Sequence, residues 1–224
     1  MLPITSYIFL GLFGLSTVIH LFFAFKEDEP KRKITKPFNL LFLALFALIA
    51  LRKHPLIYIG AFMGMIGDIF LINNKNKRFF ITGALFFLAG HLFYISEILF
   101  VILKDRPVDN LFYIVVPLAI LLFTSGGFFV SKKICSDNAT ALVGTLYLAI
   151  LLTVTTVAIV ASVKGFVLYM FLGIIGGVLF LLSDLILTQA TYIKDFKRRD
   201  FYIMLTYLLG QLFIVLSLVL TVIL

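Results

Sequence analysis

Phe171 to Thr188 reads FLGIIGGVLFLLSDLILT, a run in which Asp184 is the sole charge. A helix on the surface of a soluble protein would carry a polar stripe, whereas this run is apolar all round. Apolar stretches of roughly 18 residues or more are long enough to cross a bilayer. An ionisable side chain at that depth costs roughly 2.5–3.5 kcal/mol on insertion scales, which makes Asp184 a functional candidate by default.

The surrounding chain repeats the pattern. Of 224 residues, 62% are hydrophobic and 13% charged, with a mean hydropathy of +1.14, a composition that excludes a soluble domain. Apolar runs near 5–25, 37–51, 56–73, 79–103, 111–130, 139–161, 166–191 and 201–223 predict an all-α membrane protein of eight transmembrane helices. The second run is short enough for a tilted or re-entrant segment. A transmembrane barrel would alternate polar and apolar residues along each strand, and these runs do not. The intervening loops are too short for a soluble domain, so residues 1–224 read as a single integral membrane domain. The first span is too long for a signal-peptide core and reads as retained.

The net charge of +8 is distributed as a topology signal rather than as a nucleic-acid surface. Fourteen of the nineteen Lys and Arg residues fall in the odd-numbered loops, including Lys26, Lys31, Arg32, Lys33 and Lys36 in the first and Lys194, Lys197, Arg198 and Arg199 in the last. The positive-inside rule then places these loops in the cytoplasm and both termini outside, with anionic membrane lipids as the partners of the basic clusters. Cys135 is the single cysteine, which excludes an intrachain disulfide and a thiolate metal cluster. Asn138-Ala139-Thr140 fits a glycosylation acceptor but adjoins an inner loop.

Two parts of the chain share a pattern. MGMIGDIFLI (63–72) precedes AGHLFYI (89–95), and LLSDLILT (181–188) precedes LGQLFIV (209–215), so Asp68 matches Asp184 and His91 matches Gln211. Four spans per unit would give two parallel repeats, in halves 1–105 and 106–224, related by an axis along the membrane normal. At 1.5 Å per residue, Asp68 lies about 8 Å and Asp184 about 10 Å inside the cytoplasmic ends of their helices. His91 and Gln211 lie deeper, and Tyr207 lies nearer the carboxylate layer.

Asp68, Glu97 and Asp184 are the acidic residues placed within spans. Glu97, seven residues before Lys104, is expected to snorkel outward. Two carboxylates in a low-dielectric pocket do not both ionise cheaply, so Asp68 and Asp184 would offer an acid beside a base, or a hydrogen-bonded pair that joins helices. Ser183 is a candidate donor to Asp184, which favours Asp184 as the ionised member and Asp68 as the acid. His91 and Tyr94 share a helical face, and His20 and His54 lie elsewhere, so no metal site is expected. Ser183 lacks the glycine frame of a nucleophile elbow. GIIGG (173–177) and GMIG (64–67) supply small residues for close helix packing.

KPFNLLFLAL, GDIFLI, GALFFLAGHLFYI, FLLSDLIL and TYLLGQLFI, in that order, resemble the YhhN-like lysoplasmalogenase family of multi-span membrane enzymes, over nearly the whole chain. The resemblance implies hydrolysis of the vinyl ether bond of lysoplasmalogens to a fatty aldehyde and glycerophosphocholine or glycerophosphoethanolamine. It implies catalytic Asp68 and Asp184, substrate contacts from His91, Tyr94, Tyr207, Gln211, Lys36 and Asn39, a lysophospholipid substrate, and no cofactor, metal or nucleic-acid partner. Protonation of the vinyl β-carbon gives an oxocarbenium ion that water captures, a task for a neutral carboxylic acid and a neighbouring carboxylate. The Lys-, Ile- and Phe-rich composition reads as bacterial, hence an inner (plasma) membrane. A small polytopic transporter and a non-catalytic lysolipid-binding protein are the competing readings.

Overall fold

A computed structural model describes residues 2–73, 76–99, 110–134, 138–163 and 169–223. Outside these fall Cys135, Asp105, Asp109, Asp137, Lys75, Lys104, Arg106, Lys164 and the expected span ends at 100–103 and 166–168. Among the described residues there are eight α-helices and no strand: α1 Ile4–Phe25, α2 Glu29–Ala50, α3 Pro55–Leu71, α4 Lys77–Glu97, α5 Asn110–Ile134, α6 Asn138–Val163, α7 Met170–Thr188 and α8 Arg199–Ile223. A π turn, Gln189–Ile193, extends α7. Six helices, α1, α2, α4, α5, α7 and α8, contain stretches long and apolar enough to cross a membrane, while Pro55–Leu71 in α3 and Gly144–Ile159 in α6 are shorter. Exposed Ile4, Leu15, Leu121, Leu182 and Leu185 give the bundle an apolar exterior, the surface that lipid rather than water would cover.

The second helix departs from expectation. Instead of a short span after a ten-residue basic loop, α2 runs for 22 residues and takes Lys31, Arg32, Lys33 and Lys36 into its first two turns. The Asp28 side chain caps it by accepting from the Lys31 backbone N–H, with Glu29 in the first turn and Pro30 near the start, where a missing N–H costs nothing. The Lys31 ammonium, with that N–H, holds the Asp28 carboxyl below its usual range. Hydropathy alone could not find this start, because four cations cover the cap.

Neighbouring helices in sequence pack as pairs, α1 with α2, α3 with α4, α5 with α6 and α7 with α8, with α2 against α3 and α6 against α7; α4 meets α6, and α8 meets α1, α2 and α3. Glycines set a close backbone crossing in each of two hairpins. A Cβ built on Gly90 would sit 2.8 Å from the Gly60 carbonyl, and one on Gly176 2.8 Å from the Gly210 carbonyl. A second contact follows in each hairpin: a Cβ on Gly67 would meet the Gly83 carbonyl at 3.0 Å, while the Ser183 hydroxyl donates to the Ile203 carbonyl at 3.0 Å.

The ends that carry the basic residues are tied together across the chain. Arg198 N–H donates to Glu27 Oε1 at 2.9 Å, and both residues hold left-handed backbone, at φ 59° and 58°. The Arg198 guanidinium stacks 3.8 Å over Phe25, whose ring meets Phe201 edge-on. These contacts fix the start of α8 against α1 and α2.

Candidate active site

Lys36, Asp68 and Tyr207 come from α2, α3 and α8 and meet in the interior. Lys36 Nζ lies 3.2 Å from Asp68 Oδ1, and the Tyr207 hydroxyl donates to Asp68 Oδ2 at 3.0 Å. The Asp68 side chain is 2% exposed and that of Lys36 10%. Gly64, one turn before Asp68, makes room: a Cβ there would sit 2.6 Å from Leu40 Cδ1 and within 4 Å of Tyr207 Oη and Gln211 Nε2. Asn39 is fully buried beside Lys36, donating to the Lys36 carbonyl at 3.2 Å and accepting from Ser16 at 2.9 Å. Lys36 is thus anchored by its own turn of helix and aimed at one carboxylate.

Farther along α8, Gln211 Oε1 accepts from Tyr94 of α4 at 3.1 Å, both fully buried. His91 Nδ1 donates to the Phe87 carbonyl at 2.8 Å. Since a carbonyl only accepts, Nδ1 is a protonated ring nitrogen. The rings of His91, Tyr207 and Phe87 each stand edge-on to Phe180, with His91 at 4.5 Å and Tyr207 at 5.3 Å.

Asp184 lies one turn beyond Phe180 on α7 and is half-buried. Phe180 in turn meets Tyr207, the hydroxyl partner of Asp68. The Ser183 hydroxyl is committed to the Ile203 carbonyl of α8, so its expected donation to Asp184 is replaced by a helix-to-helix bond. Glu97 does not snorkel. Its side chain is fully buried, with Oε1 2.6 Å from His54 Nδ1, because the loop before α3 brings an imidazole to the end of α4 that sequence spacing does not reveal. Two further α1–α2 contacts also escaped the sequence reading, His20 Nδ1 with Thr35 Oγ1 at 2.7 Å and Ser16 with Asn39. Histidine and asparagine inside apolar runs were the available signal, but their partners lie on another helix. Among the described residues, no group of three or more His, Cys, Asp or Glu side chains is placed to hold a metal ion.

An apolar helical bundle that buries a lysine-paired aspartate against a tyrosine is an integral membrane protein with a polar site inside its helices. The YhhN family model matches residues 31–218, and the chain belongs to that family, the family of lysoplasmalogenases. No curated protein and no solved structure matches the chain significantly.

Proposed function

We propose that the chain is an intramembrane hydrolase that cleaves the vinyl ether bond of lysoplasmalogens, releasing a fatty aldehyde and glycerophosphocholine or glycerophosphoethanolamine. The observation that carries this reading is Asp68, enclosed by the bundle yet held between the Lys36 ammonium at 3.2 Å and the Tyr207 hydroxyl at 3.0 Å. An ammonium and a hydroxyl directed at one carboxylate equip it to orient a water molecule and take its proton. In this reading Asp68, with these two partners, is the base and Asp184 the acid, the reverse of the assignment that Ser183 suggested from sequence.

In this mechanism Asp184 delivers its proton to the vinyl β-carbon. The Asp68 carboxylate stabilises the resulting oxocarbenium ion and takes a proton from the water that captures it. The hemiacetal then transfers its hydroxyl proton to the departing glycerol oxygen, giving aldehyde and alcohol. The proton gained by Asp68 returns to Asp184 before the next turnover. Lys36 and Asn39 serve the polar end of the substrate, and His91, Tyr94 and Gln211 the inner end of the site. The same reading takes all eight helices as spans, with the basic ends cytoplasmic and both termini outside. It also takes α1–α4 and α5–α8 as parallel repeats, supported by the matching glycine crossings.

Purified protein incubated with vinyl ether, ester and alkyl ether lysolipids, with products read by mass spectrometry, tests the reaction. Aldehyde from the vinyl ether alone is expected. Fatty acid from the ester would reassign the activity to ester hydrolysis, and flux into sealed vesicles without any product would favour a transporter.

A further inference from the structure

Arg32 lies four residues before Lys36, so the two share one face of α2, about 6 Å apart along its axis. Lys36 reaches inward to Asp68, whereas Arg32 Nη2 lies 3.3 Å from Oδ2 of Asp200 at the start of α8. Asp200 and Tyr207 are seven apart, two turns along one face of α8. The two helices thus meet in two rungs, an inner one through Asp68 and an outer one through Asp200. Their exposure differs: the Arg32 and Asp200 side chains are 19% and 30% exposed, against 10% and 2% for Lys36 and Asp68. A second guanidinium, that of Arg199, lies 3.8 Å from the other Asp200 oxygen.

A guanidinium fork that accepts a carboxylate accepts a phosphate equally well, and its five donors exceed what one contact at 3.3 Å uses. In a lysophospholipid the phosphorus and the sn-1 ether oxygen are five bonds apart, roughly 6 Å at ordinary bond lengths. That matches the rise of about 6 Å between Arg32 and Lys36 along α2. A lipid with its ether bond at Asp68 brings its phosphate to Arg32. Resting on the hydrolase reading, we infer that Arg32, assisted by Arg199, is the phosphate subsite for a lysophospholipid, and that Asp200 occupies it as an internal anion until the lipid arrives. Phosphate entry displaces the Asp200 carboxylate toward solvent and takes its place beside Arg199 Nε.

Two substrates with the same vinyl ether, 1-alkenylglycerophosphocholine and phosphate-free 1-alkenylglycerol, test the subsite through the ratio of their kcat/KM values. The full chain is expected to favour the phosphate-bearing lipid. Arg32→Ala should collapse that preference about tenfold or more, chiefly through KM, Arg32→Lys should restore part of it, and Asp200→Asn should enlarge it. An Arg32→Ala variant that lowers both substrates equally, or leaves their ratio unchanged, overturns the subsite and leaves only a structural rung. Stimulation of alkenylglycerol hydrolysis by inorganic phosphate would assign the site to the free anion and overturn the headgroup role. If the unmutated chain releases aldehyde from neither substrate, the hydrolase reading fails. Equilibrium binding of the two labelled lipids then judges the subsite separately, by whether Arg32→Ala removes the preference for phosphate.

Discussion

The α3–α4 and α7–α8 hairpins are built alike and equipped differently. Each crosses through a glycine pair, Gly60 with Gly90 and Gly176 with Gly210, and each carries an aspartate eight residues beyond the first glycine. Asp68 is enclosed and has Lys36 and Tyr207 against it, while Asp184 is half-buried. The difference comes from the neighbouring helix: α2, beside α3, carries Lys36, whereas α6, beside α7, has no charged residue at all. One turn before each aspartate the hairpins differ again, with Gly64 leaving space for Tyr207 and Phe180 filling it with a ring. Similar backbone geometry thus sets two carboxylates at similar positions along their helices, and the adjacent helices surround them differently.

The sharpest way to break this comparison is to remove each carboxylate in turn. Asp68→Asn and Asp184→Asn should each lower aldehyde release by about 10²–10⁴-fold, with the protein still monodisperse in detergent. Their residual pH profiles should differ. A base acts only once deprotonated, so Asp68→Asn should lose the acidic limb; an acid acts only while protonated, so Asp184→Asn should lose the alkaline limb. Exchanged limbs would restore the assignment read from Ser183.

Lys36→Met separates the hairpins by stability. It strands a buried carboxylate, a change that costs about 3–5 kcal/mol when a buried pair is broken from one side, and thermal unfolding in detergent should show it. Adding Asp68→Asn should recover much of the loss, whereas adding Asp184→Asn should recover none. Equal rescue by both would mean that the lysine serves the two aspartates alike.

The glycine crossings test the similarity instead. Gly90→Ala and Gly176→Ala each press a methyl onto a backbone carbonyl at 2.8 Å, and overpacking of this kind costs about 1–3 kcal/mol. Comparable losses in melting temperature would sustain the equivalence of the two crossings, and a loss confined to one would end it. Gly11→Ala on α1, where a Cβ meets nothing within 4 Å, should leave stability unchanged.

Most of the helices were legible because membrane spans must satisfy their backbone internally and face lipid with apolar side chains. The start of α2 was not, since a run of cations looks like a loop until Asp28 and Pro30 are read as a cap. Glu97 shows the corresponding limit for the site. Seven residues before a lysine, it reads as a side chain reaching for water, yet His54, at the start of α3, holds it inside. Asp68 and Asp184 stood out on cost alone, and His91, Tyr94, Tyr207 and Gln211 by their spacing. Arg32 and Asp200, 168 positions apart, gave no sign of each other.

By itself the sequence determined an all-helical membrane protein, the residues too polar to be there without reason, and the family to which they point. Hydrophobicity is a local property, and the cost of an intramembrane charge is legible wherever that charge stands. Only the tertiary structure decided that Lys36 and Tyr207 converge on Asp68, and that Ser183 turns to Ile203 rather than Asp184. The proton state of a buried carboxylate depends on how deeply it is enclosed and on the few groups within about 4–6 Å of it. In a helical bundle those groups come from other helices, at sequence distances that no local pattern records.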